Sequence, residues 1–267
     1  MSRAIVVTSG KGGVGKTTTS ANLGMALARL GHAVVVIDAD FGLRNLDLLL
    51  GLENRVVYTA LDVLAGQCRL DQALVKDKRQ PKLALLPAAQ NRTKESVNAR
   101  QMRQIVRALA TRYQYILIDC PAGIEMGFRN AIAPATEALI VTTPEISAVR
   151  DADRVVGLLE AHGIKRINLI INRIRPSMVK ANDMMSVEDV KEILAVPLIG
   201  IVPDDEQVIV STNRGEPLVL AKELSIAGQS FDNIAKRLEG QQVKFIDLES
   251  LNPTFMDKVR QFFSFSK

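Results

Sequence analysis

Short apolar runs rich in Val and Ile recur along the chain, separated by amphipathic stretches. Seven of these runs read as strands: Ala4–Thr8, Ala33–Asp38, Leu83–Pro87, Tyr115–Asp119, Ala138–Thr142, Arg166–Asn172 and Leu198–Val202. They are continuous rather than alternating, the pattern of strands buried on both faces. A helical period predicts helices over Thr17–Leu30, Ala99–Tyr113, Ala148–His162, Val187–Leu194 and Ile226–Leu238. Strand–helix alternation of this kind predicts an α/β fold, with a mostly parallel central sheet and helices on both faces. No repeat or composition break divides the first 238 residues, so 1–240 reads as one domain.

After Gly240 the pattern changes. Residues 241–253 read as a connecting segment, and 254–267 as a helix begun by Pro253. At about 100° per residue, Phe255, Met256, Val259, Phe262 and Phe263 share one arc, flanked by Lys258 and Arg260. Half of the eight phenylalanines fall in this stretch. A terminal helix docked on its own domain is the plainer reading. The sharper one is a helix lying in a membrane interface, its cations at anionic headgroups.

Composition adds limits rather than a function. With 267 residues, 47% hydrophobic and 24% charged, the chain can bury a large core. A net charge of +5 suits an acidic partner, lipid or nucleic acid, without choosing between them. Only 4% of residues are aromatic and none is Trp, which argues against a stacking surface for single strands. Arg100, Arg103 and Arg107 share one helix face, whose plain reading is a solvated surface. Cys68 and Cys120 have no ligand spacing and read as reduced core thiols. His32 and His162 each precede or follow a glycine at a helix end, the place of a terminal residue rather than a ligand. There is no secretory pattern, and no apolar run approaches the ~20 residues of a spanning helix. A cytoplasmic location with peripheral membrane contact is the expectation.

The chemistry is concentrated where strands end. Gly10–Thr17 satisfies G-x-x-x-x-G-K-T between a predicted strand and a predicted helix. Gly10, Gly12, Gly13 and Gly15 lack a Cβ, so the backbone can turn its N–H groups inward around phosphate. The helix start adds its positive dipole end. Lys16 would reach the β- and γ-phosphates of a nucleotide and Thr17 would ligate Mg²⁺. Lys11 is one cation more than a single triphosphate site needs. VVVIDAD ends in Asp38 and Asp40, and YILIDCPAG passes through Asp119, a hydrophobic strand closed by a carboxylate as in a Walker B element. Asp119 would hold Mg²⁺ through water, and Gly123 would let the next loop approach the γ-phosphate.

KGGVGKTT, DADFGLRNLD, ENRVVY and IDCPAGIEMGF, with INRIRP and VPDD further on, resemble the septum-site-determining branch of the MinD/ParA family of deviant Walker A ATPases. The resemblance covers essentially the whole chain and implies a three-layer P-loop NTPase fold. It implies nucleotide contact along the loop at Gly10, Lys11, Gly12, Gly13, Val14, Gly15, Lys16, Thr17 and Thr18, and around the base at Asn172, Arg173, Pro203 and Asp205. It further implies that Lys11 crosses the interface of an ATP-bound homodimer, that Asp40 orients the attacking water and that Asp38 supports the metal through water. Gly123, Glu125 and Gly127 would belong to a switch sensing the γ-phosphate. Implied partners are anionic lipid, a MinC-like division inhibitor and a MinE-like regulator. The site of action would be the cytoplasmic face of the inner membrane, or a plastid stroma and envelope. Two rivals remain at this point: a DNA-partition ATPase of the ParA type, and an electron-transfer ATPase with a cluster bridged between subunits.

Overall fold

Each predicted apolar run becomes a strand in the computed structural model, which describes residues 2–41, 44–89 and 97–248. The strands are β1 (Arg3–Thr8), β2 (Val34–Asp38), β3 (Val75–Lys76), β4 (Leu83–Leu86), β5 (Tyr115–Asp119), β6 (Glu137–Thr142), β7 (Arg166–Ile174) and β8 (Leu198–Pro203). They form one sheet in the order β3-β4-β2-β5-β1-β6-β7-β8. All described pairings are parallel except that of β3, which runs antiparallel to β4 at the edge. Two residues give β3 no periodicity to read, which is why the sequence pattern passes over it.

The helices are α1 (Lys16–Arg29), α2 (Leu46–Leu49), α3 (Ala60–Leu64), α4 (Leu70–Ala73), α5 (Ala99–Leu109) and α6 (Met126–Ile132), followed by α7 (Ile146–Ala161), α8 (Pro176–Lys180), α9 (Val187–Leu194), α10 (Gln207–Arg214) and α11 (Ile226–Leu238). Of these, α2, α3, α4, α6 and α8 have seven residues or fewer, too short to show a clear period, and α10 is a further helix that the pattern passes over. Two predicted bounds move. Helix α5 ends at Leu109 rather than Tyr113, and α7 begins at Ile146, directly after the N-cap Glu145.

The sheet divides two apolar layers by the alternation of its side chains. Val6, Val35, Ile37, Ile116, Ile118 and Ile140 pack toward Met102 of α5, Phe128 of α6, Val155 of α7 and Leu194 of α9. Ile5, Val7, Val34, Val36, Leu117 and Leu139 pack toward Leu23 and Leu27 of α1 and Phe231 of α11. Each such side chain, fully buried, is worth about 1.5–3 kcal/mol. Central strands buried on both faces therefore hold the strand ends rigidly, and the candidate chemistry sits on those ends. At the opposite end, Arg3 on β1 donates to both carboxylate oxygens of Glu137 on β6 at 2.8 and 2.7 Å and to Tyr115 of β5 at 2.9 Å. That fork ties the phosphate-loop strand to both neighbours. Among the described residues, no helix is long and apolar enough to cross a membrane.

Candidate functional site

The loop between β1 and α1 is built as its sequence predicts, with one difference in the reason for its glycines. Gly13 and Gly15 take left-handed φ values of 78° and 99°, which a Cβ would strain. Gly10 does not. A Cβ there would overlap the backbone of Asp151 on α7, so close packing requires this glycine. At Gly15 a Cβ would overlap the side-chain amide of Asn172. The loop is thus clamped by α7 on one side and by the end of β7 on the other.

Its two lysines have opposite settings. Lys16 is 7% exposed and its Nζ donates to Ser9 Oγ at 3.0 Å. The Ser9 hydroxyl in turn donates to the Lys11 carbonyl at 2.6 Å, bracing the loop. Lys11 is solvent-facing, and its Nζ lies 3.2 Å from Glu145 Oε2 and 3.1 Å from Ser147 Oγ at the start of α7. Thr17 and Ser20 sit one turn apart on α1, and the Ser20 hydroxyl donates to Asp119 Oδ1 at 2.8 Å.

Asp38 and Asp119 are register partners at the ends of β2 and β5, and both are almost fully buried. Burial, then the charge of Asp119, pushes the Asp38 carboxyl up to about 8. Its oxygens accept the backbone N–H groups of Asp40 at 3.0 Å and Leu46 at 3.3 Å, which oppose the rise. Burial pushes Asp119 up to about 6, while Ser20, Thr17 and Lys16 hold it down. Two carboxyls disfavoured as anions by burial beside one another make a place where a cation is welcome. Asp40, just beyond the strand, is half-buried. Among the described residues no group of three or more His, Cys, Asp or Glu forms a ready metal cage. Mg²⁺ does not need one, since it keeps several waters and binds through one or two carboxylates plus phosphates.

A groove opens beside the loop, lined by Gly15, Thr18, Asn172, Arg173, Pro203 and Asp205. The fold thus brings the segments that the resemblance implies to one groove. Asn172 donates to the Val14 carbonyl at 2.8 Å and accepts the Arg173 N–H at 3.0 Å. Arg173 takes a left-handed φ of 57° at an irregularity in the β7–β8 pairing, a strained conformation for a side-chain-bearing residue. Asp205 lines the groove with its carboxylate already engaged. Both its oxygens accept backbone N–H groups, from Gln207 at 2.9 Å and Ala227 at 3.1 Å, so its carboxylate builds the wall of the groove. In the segment that the resemblance implies is a switch, Gly123 has φ 90°, Glu125 precedes α6 as its N-cap, and Gly127 is buried in the first turn.

Ser9, Ser20, Glu145, Ser147 and Asp151 belong to the site but escape sequence reasoning. Ser20 alone had a signal, its i+3 spacing from Thr17 on one helix face. The membrane-contact residues Phe255, Met256, Lys258, Val259, Arg260, Phe262 and Phe263 lie outside the described residues.

A glycine loop at a helix start, a buried lysine beneath it and paired strand-end carboxylates define a P-loop nucleotide-binding protein. Residues 5–218 match the family model CbiA, the CobQ/CobB/MinD/ParA nucleotide binding domain. The chain is 68% identical over 263 residues to the putative septum site-determining protein MinD of Guillardia theta, covering 98% of each. It is 66% identical over 261 residues to the septum site-determining protein MinD of Synechocystis sp., again covering 98% of each. Among solved structures, the MinC:MinD cell division protein complex of Aquifex aeolicus matches with TM-score 0.86 and 49% identity, over 92% of this chain and 99% of that one. The Pyrococcus horikoshii MinD complexed with Mg-ADP matches with TM-score 0.82 and 34% identity, over 90% of this chain and 96% of that one. The chain belongs to the MinD family of septum site-determining proteins.

Proposed function

We propose that this protein is a Mg²⁺-dependent ATPase that dimerises with ATP bound, gathers on anionic membrane through residues 254–267 and recruits a MinC-like division inhibitor. A MinE-like regulator would act on the same assembly, which would lie on the cytoplasmic face of the inner membrane or, in a plastid, on the envelope. The carrying observation is Lys16, buried under the loop beside the in-register Asp38–Asp119 pair. The relatives that bear the names MinC:MinD complex and Mg-ADP complex support the partner and the ligand.

The residues present fit Mg²⁺ and a nucleotide. Left-handed Gly13 and Gly15 free the loop's backbone for phosphate, and the Asp38 and Asp119 carboxyls are disfavoured as anions until a cation joins them. Thr17 would hold the metal directly, with Asp119 and Asp38 reaching it through water. When bound, Mg²⁺ neutralises charge on the phosphates and draws electrons from the terminal one. Lys16 fixes the β- and γ-phosphate oxygens in its own subunit. Asp40 orients a water and accepts its proton as the water attacks, releasing ADP and inorganic phosphate. Lys11 leaves Glu145 and Ser147 and meets the phosphates of the partner subunit.

Burying five or six apolar tail side chains grosses about 1.5–3 kcal/mol each at most. Ordering the backbone removes about 1–2 kcal/mol per residue, so one tail binds weakly. Pairing makes the second insertion intramolecular and can raise avidity by ~10²–10⁴. ATP therefore controls membrane residence by controlling dimerisation. Sedimentation with anionic liposomes in ATP against ADP tests this, with and without residues 254–267, alongside retention on DNA at equal salt. Binding that is ATP-dependent and tail-dependent supports the reading. Intact liposome binding without the tail, or stronger retention on DNA, defeats it.

A further inference from the structure

Helix α11 joins two places that the function has kept separate. At its start, the Ala227 N–H bonds Asp205 on the wall of the nucleotide groove. In its last turn, Arg237 reaches three backbone carbonyls at once. Nη1 donates to Ile199 of β8 at 2.9 Å, Nε to Val243 at 3.0 Å and Nη2 to Lys244 at 2.8 Å. The same guanidinium lies 4.0 Å from the ring centroid of Phe245. Residues 241–248 carry no regular secondary structure, so these contacts from Arg237 hold the segment to the body. Leu248 then packs against the apolar layer on the sheet face opposite α11. Phe245 is 42% exposed, more than core packing alone would leave a ring. Its place over Arg237 identifies it as a lid on the guanidinium.

We propose that Arg237 and Phe245 form a clasp fixing where the C-terminal segment leaves the nucleotide-binding body, so that residues 254–267 move with the dimer. The proposal rests on the membrane reading above. The clasp shortens the connector to Thr254 from the thirteen residues 241–253 to the eight residues 246–253. Effective concentration falls roughly as the −3/2 power of connector length, so opening the clasp should weaken paired-tail binding about twofold. Only arginine can do this. Its rigid fork presents several N–H groups in one plane and stacks on an aromatic face, whereas lysine is a point charge on a flexible stem.

The test compares the full chain, Arg237→Lys, Phe245→Ala and a chain ending at residue 253. Each is sedimented with ATP and vesicles of mixed zwitterionic and anionic phospholipid, and amide hydrogen exchange is followed over residues 241–248. Expected are an about twofold loss of apparent affinity and faster exchange in both substituted chains, with ATP turnover in the absence of vesicles unchanged. Phe245→Ala removes an exposed ring and tests the clasp even if Arg237→Lys folds poorly. Unaltered exchange or unaltered affinity in both variants, while the truncated chain fails to bind, overturns the clasp and leaves the membrane reading standing. A loss confined to Phe245→Ala with unaltered exchange also overturns it, and makes Phe245 a lipid contact. If the truncated chain binds vesicles as the full chain does, the membrane reading itself fails.

Discussion

The two ends of the central strands bury carboxylates in opposite ways. At the amino ends, Glu137 is held by the Arg3 fork at 2.8 and 2.7 Å, with Arg166 3.7 Å away. At the carboxyl ends, Asp38 and Asp119 face one another across adjacent strands, and burial lifts both well above the ordinary carboxylate range. The first arrangement is complete within the chain and contributes to stability. The second has no such fork and stays disfavoured as anions, which is why a cation is proposed to complete it. Burial alone does not tell the two apart; the partner does.

The largest expected effect breaks the paired end. Arg3→Ala leaves Glu137 buried without its fork, and removing one member of a buried pair costs about 3–5 kcal/mol. Urea unfolding should show that loss, with nucleotide affinity of the folded fraction unchanged because the groove lies at the other end. A loss below about 1 kcal/mol would make the fork a surface contact and erase the contrast.

At the other end a substitution should act in reverse. Asp119→Asn keeps an oxygen for Ser20 but removes the buried charge. The nucleotide-free chain should gain on the order of 2 kcal/mol at neutral pH while ATP turnover falls at least tenfold. The pH dependence has a definite sign. An acid raised in the folded state binds protons there that the unfolded chain has already lost. Stability of the nucleotide-free chain therefore falls as pH rises from about 3.8 to about 6 for Asp119, and to about 8 for Asp38. Thermal melts at pH 4, 6 and 8 should lose the lower part of that decline in Asp119→Asn, and Mg²⁺ with nucleotide should offset it in the parent. Removing Mg²⁺ with a chelator should restore the decline. Parallel pH curves for parent and variant would refute the assignment.

What the sequence makes legible follows the same physics. The seven long strands, the loop from Gly10 to Thr17 and the carboxylates Asp38 and Asp119 are local features, each visible in a window of a few residues. The resemblance adds Asn172, Arg173, Pro203 and Asp205, which the fold does bring to one groove. What stays hidden depends on contacts across long sequence separations. Glu145 and Ser147 meet Lys11 from more than 130 positions away, and nothing near either marks the meeting. Gly10 looks like a flexible loop residue, yet it is fixed by the approach of Asp151. Nothing near Asp205 shows that two helix backbones occupy its carboxylate.

Within the site, a middle-sized effect separates Asp40 from its neighbour. A positioned base contributes about 10²–10⁴-fold to rate, so Asp40→Ala should bind ATP normally and lose at least a hundredfold in turnover. Phosphate release and equilibrium nucleotide binding measured on the same preparation decide it. Unchanged turnover would move the role to Asp38 and leave the costly pair doing the proton chemistry as well as holding the metal.

The smallest effect concerns the two lysines of the loop, which repeat the contrast on a local scale. Lys16 is buried and braced by Ser9, whereas Lys11 is solvent-facing and paired with a still more exposed Glu145. An exposed ion pair is worth about 0–1 kcal/mol, so Glu145→Gln should hardly change unfolding. It should still matter to assembly, because a weak tether competes with the crossing role proposed for Lys11. Size-exclusion chromatography in ATP should show Lys11→Ala as a monomer and Glu145→Gln as a dimer at a few-fold lower protein concentration than the parent. A Lys11→Ala dimer would show that the exposed lysine serves its own subunit, as Lys16 does. A Glu145→Gln chain that dimerised less well would make the glutamate part of the dimer contact rather than a restraint on it.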